Sequence, residues 1–198
     1  MLLVVGLGNP GSKYAGNRHN VGFMCVERVA ERARAAAFKE KFQGLFTKAE
    51  IGGKETVLLT PMTYMNLSGE SVQKAMTFFK VPLKDVVVVH DELDLEWRTA
   101  RIKVGGGHAG HNGLRSIIQH CGGPEFTRVR VGIGRPRSGP VEGYVLSDFD
   151  SMQRAELDGE LQKAAVMVET IAAKGTQAAM NELHREDKAP KAESKKPG

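Results

Sequence analysis

The sequence predicts an α/β fold: a single compact domain in which a mixed, mostly parallel, twisted β-sheet is flanked by helices. Two short runs at 2–5 and 86–89 are apolar on every side, as strands covered by helices on both faces are. Between such runs, apolar residues recur at the 3.6-residue period of amphipathic helices. The length of 198 residues suits one domain, because domains average roughly 150 residues. Strands and helices therefore mingle in one α/β unit.

The first half of the domain is predicted from signals at the ends of its elements. The strand at 2–5 stops at Gly6, and after a loop an amphipathic helix spans about 20–37. The Gly52-Gly53 pair joins two strands into a β-hairpin, which Pro61 ends. A helix capped by Ser68 follows, before the central strand at 86–89. The hairpin strands are at 42–51 and 55–60, and the helix face is Val72, Ala75, Met76 and Phe79.

The second half alternates in the same way and ends in a polar segment. A strand is predicted at 100–104, a helix at 114–120 and a loop at 134–147. Residues 151–181 are mostly helical, with a break near Gly175. A further strand has Val129, Val131 and Ile133 on one face and Arg128, Arg130 and Gly132 on the other. Residues 185–198 are almost all charged or small, which predicts a disordered tail after a folded domain at 1–184.

Composition excludes several classes of protein. The hydrophobic fraction of 41% is too high for a disordered chain, and the 23 glycines and 8 prolines follow no collagen period. No apolar run approaches the roughly 20 residues of a membrane span, and the N-terminus lacks a basic leader. Cys25 and Cys121 have neither metal-binding nor redox spacing. We therefore expect a cytoplasmic protein without membrane contact, and a monomer.

Positive charge is concentrated in one part of the chain. Residues 101–147 carry seven basic and two acidic side chains, a net of +5, which equals the formal net charge of the whole chain. Six of the seven are arginines, which suit bidentate contacts with phosphate. A solvated face is the alternative interpretation, but the arginine content favours a docking surface for nucleic acid or nucleotide. The seven are Arg101, Lys103, Arg115, Arg128, Arg130, Arg135 and Arg137.

A histidine and an aspartate are the first candidates for chemistry. Asp91 follows the central strand, at the carboxyl end where α/β sheets place their ligands, and His19 precedes the first predicted helix. A carboxylate that accepts a hydrogen bond from one imidazole nitrogen leaves the other nitrogen able to take a proton from water. A cap or surface role for His19 and a turn role for Asp91 remain as alternatives. No G-x-S-x-G motif supplies a covalent nucleophile, which favours activated water for a hydrolase.

Two glycine-rich segments bracket this pair in the sequence. Residues 6–11 match the dinucleotide fingerprint G-x-G-x-x-G, but Pro10-Gly11 is a turn signal, and the helix that should open there comes too late. The segment more plausibly presents Asn9 at the edge of the sheet. Residues 105–113 contain five glycines and include Asn112, which can cap the following helix or, alternatively, hold a carbonyl or hydroxyl of a substrate. Together with Asn66, these amides predict a polar, uncharged cleft suited to ester or amide groups, walled by Tyr64 and Met65.

Metal chemistry is the main rival interpretation. His90, Asp91, His108 and His111 offer nitrogen and oxygen ligands within 22 residues. The two later histidines lie in a glycine-rich segment and not on a helix that would fix them, and no further carboxylate motif completes a two-metal site. The sequence therefore favours a site without metal.

Six segments together resemble the bacterial-type peptidyl-tRNA hydrolase family, in the family's order and spacing over about residues 1–180. They are GLGNPG at 6–11, RHNVGF at 18–23, PMTYMNLSG at 61–69, HDELDL at 90–95, GGGHAGHNGL at 105–114 and RVRVGIGRP at 128–136. The resemblance implies hydrolysis of the ester between a peptide and the terminal ribose of tRNA, with no metal or organic cofactor.

The resemblance also implies roles for individual residues. His19 matches the general base, Asp91 the carboxylate that orients it, and Asn9 the residue that helps to distinguish blocked from free aminoacyl groups. Lys103 and Arg130 match basic residues that hold tRNA phosphate near the acceptor end. The other matches contact the substrate: the amides Asn66 and Asn112, the wall residues Tyr14, Tyr64 and Met65, and the cleft histidine His111.

The sequence departs from the family pattern at three places. Asn17 replaces a usual Thr, Ala109 replaces a customary Gly, and Glu96-Trp97-Arg98 stands where Pro-Pro-Gly is common. Ala109 raises the question whether its backbone needs a positive φ, and the Trp97 loop is expected to affect entry to the cleft. Besides the esterase, two functions stay open: an RNA-binding protein without chemistry on the same scaffold, and a metal-dependent hydrolase.

Overall fold

The computed structural model describes residues 1–188, whose seven strands form a single mixed sheet. In chain order the strands are β1 (Leu2–Gly6), β2 (Lys39–Lys41), β3 (Gly44–Ile51), β4 (Lys54–Pro61), β5 (Val86–Glu92), β6 (Ala100–Val104) and β7 (Thr127–Gly132). Their spatial order is β2-β3-β4-β1-β5-β7-β6. The apolar strands β1 and β5 lie in the middle, as their sequence predicts.

Parallel pairing is confined to the centre of the sheet. The pairs β1–β4, β1–β5 and β5–β7 are parallel, whereas β2–β3, β3–β4 and β6–β7 are antiparallel. The sheet is thus mixed as predicted, with parallel strands in its middle only. Because the parallel strands β1, β5 and β7 are adjacent, their carboxyl ends meet at one edge, which is where ligands bind in sheets of this type.

The helices cover the two faces of the sheet in separate layers. They are α1 (Val21–Arg32), α2 (Ser68–Phe79), α3 (Asn112–Cys121), the short α4 (Val141–Val145), α5 (Ser151–Lys174) and α6 (Thr176–Lys188). One core lies between the sheet and α1 and α5, and the other lies between the sheet and α2 and α3. On β5, Val87 and Val89 enter the first core and Val86 and Val88 the second. Each fully buried valine contributes about 1.5–3 kcal/mol, which explains why this strand is apolar on both sides.

A close contact between backbones brings α1 onto the ends of the central strands. A Cβ atom on Gly6 would lie 2.2 Å from the carbonyl oxygen of Gly22, and one on Gly22 would lie 2.4 Å from the carbonyl oxygen of Val89. Any side chain at either position would push the helix away. The first glycine of the 6–11 segment therefore serves helix packing, and Gly11 is followed only by a three-residue 3-10 turn, Ser12–Tyr14, instead of the α-helix that would bind a pyrophosphate.

Several predicted boundaries are corrected by the structure. Helix α1 ends at Arg32, not near residue 37, and the following charged segment forms the short strand β2, which has no apolar alternation to predict it. Ser68 does not cap α2: it is the first helical residue, and its hydroxyl donates to the carbonyl of Met65 at 2.8 Å. The predicted loop 134–147 contains helix α4.

The last described residues continue helix α6 a few positions past the predicted domain boundary. Helices α5 and α6 are separated at Gly175, as predicted, and α6 continues to Lys188. The predicted boundary between a 1–184 domain and a 185–198 tail therefore falls inside a helix, and residues 189–198 lie outside the described residues. Within 1–188, no helix combines the length and the apolar character that a membrane span requires.

Candidate active site

A cleft of about 900 Å³ opens at the carboxyl edge of the central strands. The loops after β1, β4 and β5, the amino end of α3 and helix α4 surround it. All eleven candidate residues from the sequence line this one cleft: Asn9, Tyr14, His19, Tyr64, Met65, Asn66, Asp91, Lys103, His111, Asn112 and Arg130. The fold therefore gathers residues that are up to 121 positions apart in the chain.

The imidazole of His19 and the carboxylate of Asp91 meet at the bottom of the cleft. His19 lies in a short 3-10 turn before α1, and its Nδ1 is 2.9 Å from Oδ1 and 3.0 Å from Oδ2 of Asp91. The two residues are 8% and 3% exposed. Burial removes competing water, which makes the hydrogen bond to the carboxylate stronger than it would be at the surface.

His111 holds the same carboxylate from the other side. Its Nδ1 accepts hydrogen bonds from the backbone N–H groups of Gly113 and Leu114, at 3.2 and 3.4 Å, and so caps α3. A nitrogen that accepts carries no hydrogen, so we assign the proton to Nε2, which donates to Asp91 Oδ1 at 3.0 Å. The expected capping residue, Asn112, is instead the first residue of the helix.

Charge distribution distinguishes the three buried ionisable groups. Burial opposes ionisation of Asp91, but His19 and His111 outweigh it and hold the pKa of the carboxyl well below its usual value. Burial also opposes protonation of His19, yet the Asp91 carboxylate outweighs burial and raises the pKa of that imidazole. Burial, with the nearby His111, lowers the pKa of His90 to about 3. His19 is therefore the histidine whose basicity is enhanced, with Nδ1–H on Asp91 and Nε2 left as acceptor.

Hydrogen bonds hold both the backbone and the side-chain amide of Asn9 in place. The side chain of Asn20 accepts from the backbone N–H of Asn9 and donates to its carbonyl, both at 2.9 Å. The Oδ1 of Asn9 accepts from the backbone N–H of Met65 at 2.8 Å. This bond sets the orientation of the amide and leaves its Nδ2 donor without an acceptor among residues 1–188. No pattern in the sequence singles out Asn20, although it adjoins His19.

The remaining amides are open to solvent, whereas the three wall residues range from exposed to buried. Asn66 is exposed in a 3-10 turn before α2, and Asn112 is exposed at the start of α3. Tyr64 is 60% exposed at the rim, Tyr14 is half-buried, and Met65 is buried below them. A substrate entering the cleft therefore meets polar groups that do not first have to break bonds within the protein.

The basic residues divide into exposed and buried ones. Lys103 is exposed on β6, and Arg130 is half-buried on β7, where its Nε donates to Glu92 at 2.9 Å. Arg128 lies two residues before Arg130 on the same face of β7, and it is only 3% exposed. Arg128 still lines the cleft, but its Nη1 and Nη2 donate to the carbonyls of Gly107 and Gly106, so it differs from the other members of the predicted docking surface in having these donors occupied. Sequence alternation showed a basic face on β7 but not which arginine the Gly-rich loop covers.

The ligand atoms that converge in the structure belong to a different set from the one that the sequence suggested. Nδ1 of His90 donates to the carbonyl of Asp91 at 2.7 Å, and Nδ1 of His108 accepts from the backbone N–H of Gly110 at 3.1 Å. The ligand atoms that do converge belong to His19, Asp91 and His111, and all lie within 4.8 Å of one another. Two imidazoles and a carboxylate can hold a divalent metal. The same atoms already satisfy one another through the hydrogen bonds described above.

The three departures from the family pattern have separate structural consequences. Asn17 is buried and donates to Asp148 Oδ1 at 2.7 Å. Ala109 adopts a φ of +47°, so its backbone does need the left-handed conformation that a glycine would adopt without strain. Trp97 does not line the cleft, and its indole donates to Glu156 of α5 at 2.8 Å.

Arg18 is a further residue that the sequence did not indicate. It is 6% exposed, and its guanidinium donates to Ser147 Oγ and the carbonyl of Asp148, both at 2.7 Å, and to Gln153 Oε1 at 2.8 Å. These bonds tie the turn that carries His19 to the start of α5. A single arginine in a polar segment is usually exposed, so the sequence offered no signal for this contact.

Comparison with known proteins gives a consistent result. The family model described as peptidyl-tRNA hydrolase matches residues 3–192. A peptidyl-tRNA hydrolase of Sorangium cellulosum is 58% identical over 91% of this chain and 82% of its own. One of Geobacter sulfurreducens is 45% identical over 93% of this chain and 96% of its own. The crystal structure of the Acinetobacter baumannii peptidyl-tRNA hydrolase superposes with a TM-score of 0.86 at 42% identity, covering 92% of this chain and 94% of that one.

A buried carboxylate between two imidazoles, at the carboxyl edge of the parallel central strands, is an arrangement that can support the acid–base chemistry of a hydrolase. The match along nearly the whole chain makes the assignment specific. The chain belongs to the peptidyl-tRNA hydrolase family.

Proposed function

We propose that the protein releases stalled peptides from tRNA by hydrolysing the ester between the peptide, or an N-blocked aminoacyl group, and the terminal ribose. The observation that carries this proposal is the clamping of Asp91 between His19 and His111 beneath the amides of the cleft. An ester is reactive enough for water activated by an imidazole, so the protein's own groups suffice for each step.

In the proposed reaction, Nε2 of His19 takes a proton from water as the water oxygen attacks the ester carbonyl. Asp91 stabilises the imidazolium that forms, and the negative charge moves to the carbonyl oxygen. The amides of Asn9 and Asn112 donate to that oxygen, and one such donor contributes about 3 kcal/mol in the transition state. The C–O bond to the ribose then breaks, and His19 returns the proton to the ribose oxygen.

Substrate recognition is divided between the wall and the basic residues. We assign contacts with the peptide and the terminal nucleotide to Tyr14, Tyr64, Met65, Asn66 and His111, which line the cleft. The Asn9 amide, close to the base, is suited to distinguish a blocked from a free amino group. Lys103 and Arg130 bind phosphate near the acceptor end, which supplies affinity that is independent of sequence and falls with salt.

The decisive experiment is a time course of release from N-blocked aminoacyl-tRNA, with wild type and His19→Ala, each with and without a strong chelator. We expect chelator-resistant release by wild type and a loss of at least 1,000-fold in kcat for His19→Ala, with tRNA affinity almost unchanged. No release above the buffer rate would favour an RNA-binding protein without chemistry. Silencing by chelator, with recovery on adding one metal, would favour a metal-dependent hydrolase.

We also propose that the protein acts in the cytoplasm as a monomer. The cleft is completed by one chain, since every candidate residue lines it without a second copy. Sedimentation at micromolar concentration, with and without tRNA, should give the mass of one 21.5 kDa chain in the absence of tRNA. A dimer under those conditions would contradict the proposal.

A further inference from the structure

Arg128 is the most buried of the seven basic residues in 101–147 that the structure describes. Its guanidinium donates from Nη1 to the carbonyl of Gly107 at 2.6 Å and from Nη2 to the carbonyl of Gly106. The same group stacks on the ring of Phe126, with 4.8 Å between its central carbon and the ring centroid. Two of its three nitrogens therefore donate to backbone carbonyls, in a fork geometry that lysine cannot reproduce, and Nε is buried without a partner among the described residues.

The position is electrostatically unfavourable for a cation that serves only the strand. Arg128 lies directly opposite Lys103 in the β6–β7 register, and like charges in opposed positions destabilise a sheet. Two causes lower the pKa of Arg128: burial, which is the larger, and the positive charge of Arg130. The two carbonyl dipoles offset this cost, because hydrogen bonds that involve a charged group are the stronger ones. The contacts with the loop thus account for an arginine at this site.

The segment that Arg128 holds leads directly to the catalytic residues. The backbone N–H of Gly105 donates to the carbonyl of Phe126 at 3.0 Å, so the loop is attached at two successive points. A few residues later the chain reaches His111, which holds Asp91, and then Asn112. On its other side the loop meets the ammonium group of Lys103, since a Cβ atom on Gly106 would lie 2.9 Å from that nitrogen.

We propose that Arg128 is a positioning residue: it clamps the loop at 105–107 and thereby sets His111, without contacting tRNA phosphate itself. This inference rests on the proposed function for its kinetic consequences but not for its structural one. It separates two arginines, Arg128 and Arg130, that the sequence presents as equivalent members of one basic face.

The experiment compares Arg128→Met and Arg128→Lys with Lys103→Ala, and uses Lys84→Met as the matched control. Lys84 is exposed before β5, at the end of that strand opposite Asp91, so its replacement removes the same charge far from the cleft. Two measurements are made on each protein: amide hydrogen exchange over 105–113, and the dependence of log kcat/KM on log salt concentration.

We expect both Arg128 variants to speed amide exchange in 105–113 and to lower kcat about tenfold, since a hydrogen-bonded clamp to a charged group is lost. The salt slope of Arg128→Met should equal that of Lys84→Met. The salt slope of Lys103→Ala should be smaller by about 0.7–0.9, as expected for one lost phosphate contact. Arg128→Lys keeps the charge and loses the fork, so it should not restore kcat.

Three results would overturn the inference. A salt slope in Arg128→Met that falls as far as in Lys103→Ala would make Arg128 a phosphate ligand. Full activity in Arg128→Lys would show that charge alone matters. Unchanged amide exchange in 105–113 would show that there is no clamp. The exchange measurement needs no activity, so a wild type that releases nothing would refute the proposed function while the clamp was still tested.

Discussion

The floor and the rim of the cleft are built on opposite principles. On the floor, His19, Asp91 and His111 are nearly buried, and each imidazole bonds the Asp91 carboxylate at 2.9–3.0 Å. On the rim, Lys103 is exposed, and Arg130 is half-buried with Glu92 as its partner. Electrostatic interactions are strong where water is excluded and are screened at the surface. The floor should therefore govern the chemical step, and the rim should govern capture of the substrate.

Replacement of Asp91, on the floor, is expected to have the largest effect on the chemical step. Asp91→Asn keeps the size of the side chain but removes the charge that raises the pKa of His19 and that stabilises the imidazolium. We expect kcat to fall on the order of 100-fold to 10,000-fold.

The pH profile gives an independent readout of the same variant. In wild type, release falls as the pH drops through the raised pKa of His19, because the protonated imidazole cannot accept a proton. Without the carboxylate, only burial acts on His19, and burial lowers its pKa. The acidic limb of kcat/KM should therefore move to lower pH in Asp91→Asn. A limb that stays in place would show that Asp91 does not set the basicity of His19.

The rim variants should show the opposite kinetic pattern. Lys103→Ala and Arg130→Ala are each expected to raise KM about tenfold and to change kcat by less than threefold, since each removes a contact that is made equally in the bound and transition states. Steady-state kinetics at several salt concentrations is the measurement. If both variants lost kcat at an unchanged KM, the basic rim would belong to the catalytic machinery after all.

A smaller effect is expected in the loop between floor and rim. Ala109 adopts a φ of +47°, which is strained for a residue with a Cβ atom. Ala109→Gly relieves this strain, but a glycine also raises the entropy of the unfolded chain, which offsets part of the gain. We expect the free energy of unfolding to rise by up to about 1 kcal/mol. Thermal unfolding should show a Tm up to about 2–4 °C higher. A lower Tm would mean that the methyl group makes a contact worth more than the strain.

The smallest effect concerns the end of the chain. Residues 189–198, APKAESKKPG, offer almost no apolar surface to bury, so their deletion should leave the Tm unchanged within about 1 °C. A deletion that begins at residue 185 also removes the last turn of α6 and serves as the comparison. A large loss of Tm in the shorter deletion would contradict this expectation.

The elements that could be predicted are those whose signal is local. The central strands β1 and β5 are apolar on both sides, and the break between α5 and α6 falls at a glycine. Strand β2 and helix α4 were missed because they are short, and neither has a full period of apolar residues. The caps of α2 and α3 were misassigned because a cap depends on where the helix actually begins, which is the least determined part of a local pattern.

The sequence by itself determined the α/β class, the residues that could carry acid–base chemistry and the family they resemble, because strand burial, helix period and motif spacing are written along the chain. Tertiary structure decided which of those residues act together. The hold of His111 on Asp91, the Asn20 lock on Asn9 and the burial of Arg128 beside the half-exposed Arg130 all join groups that are distant in sequence or differ only in what covers them. A hydrogen bond between distant residues depends on geometry that only the packed core provides, and no local pattern records it.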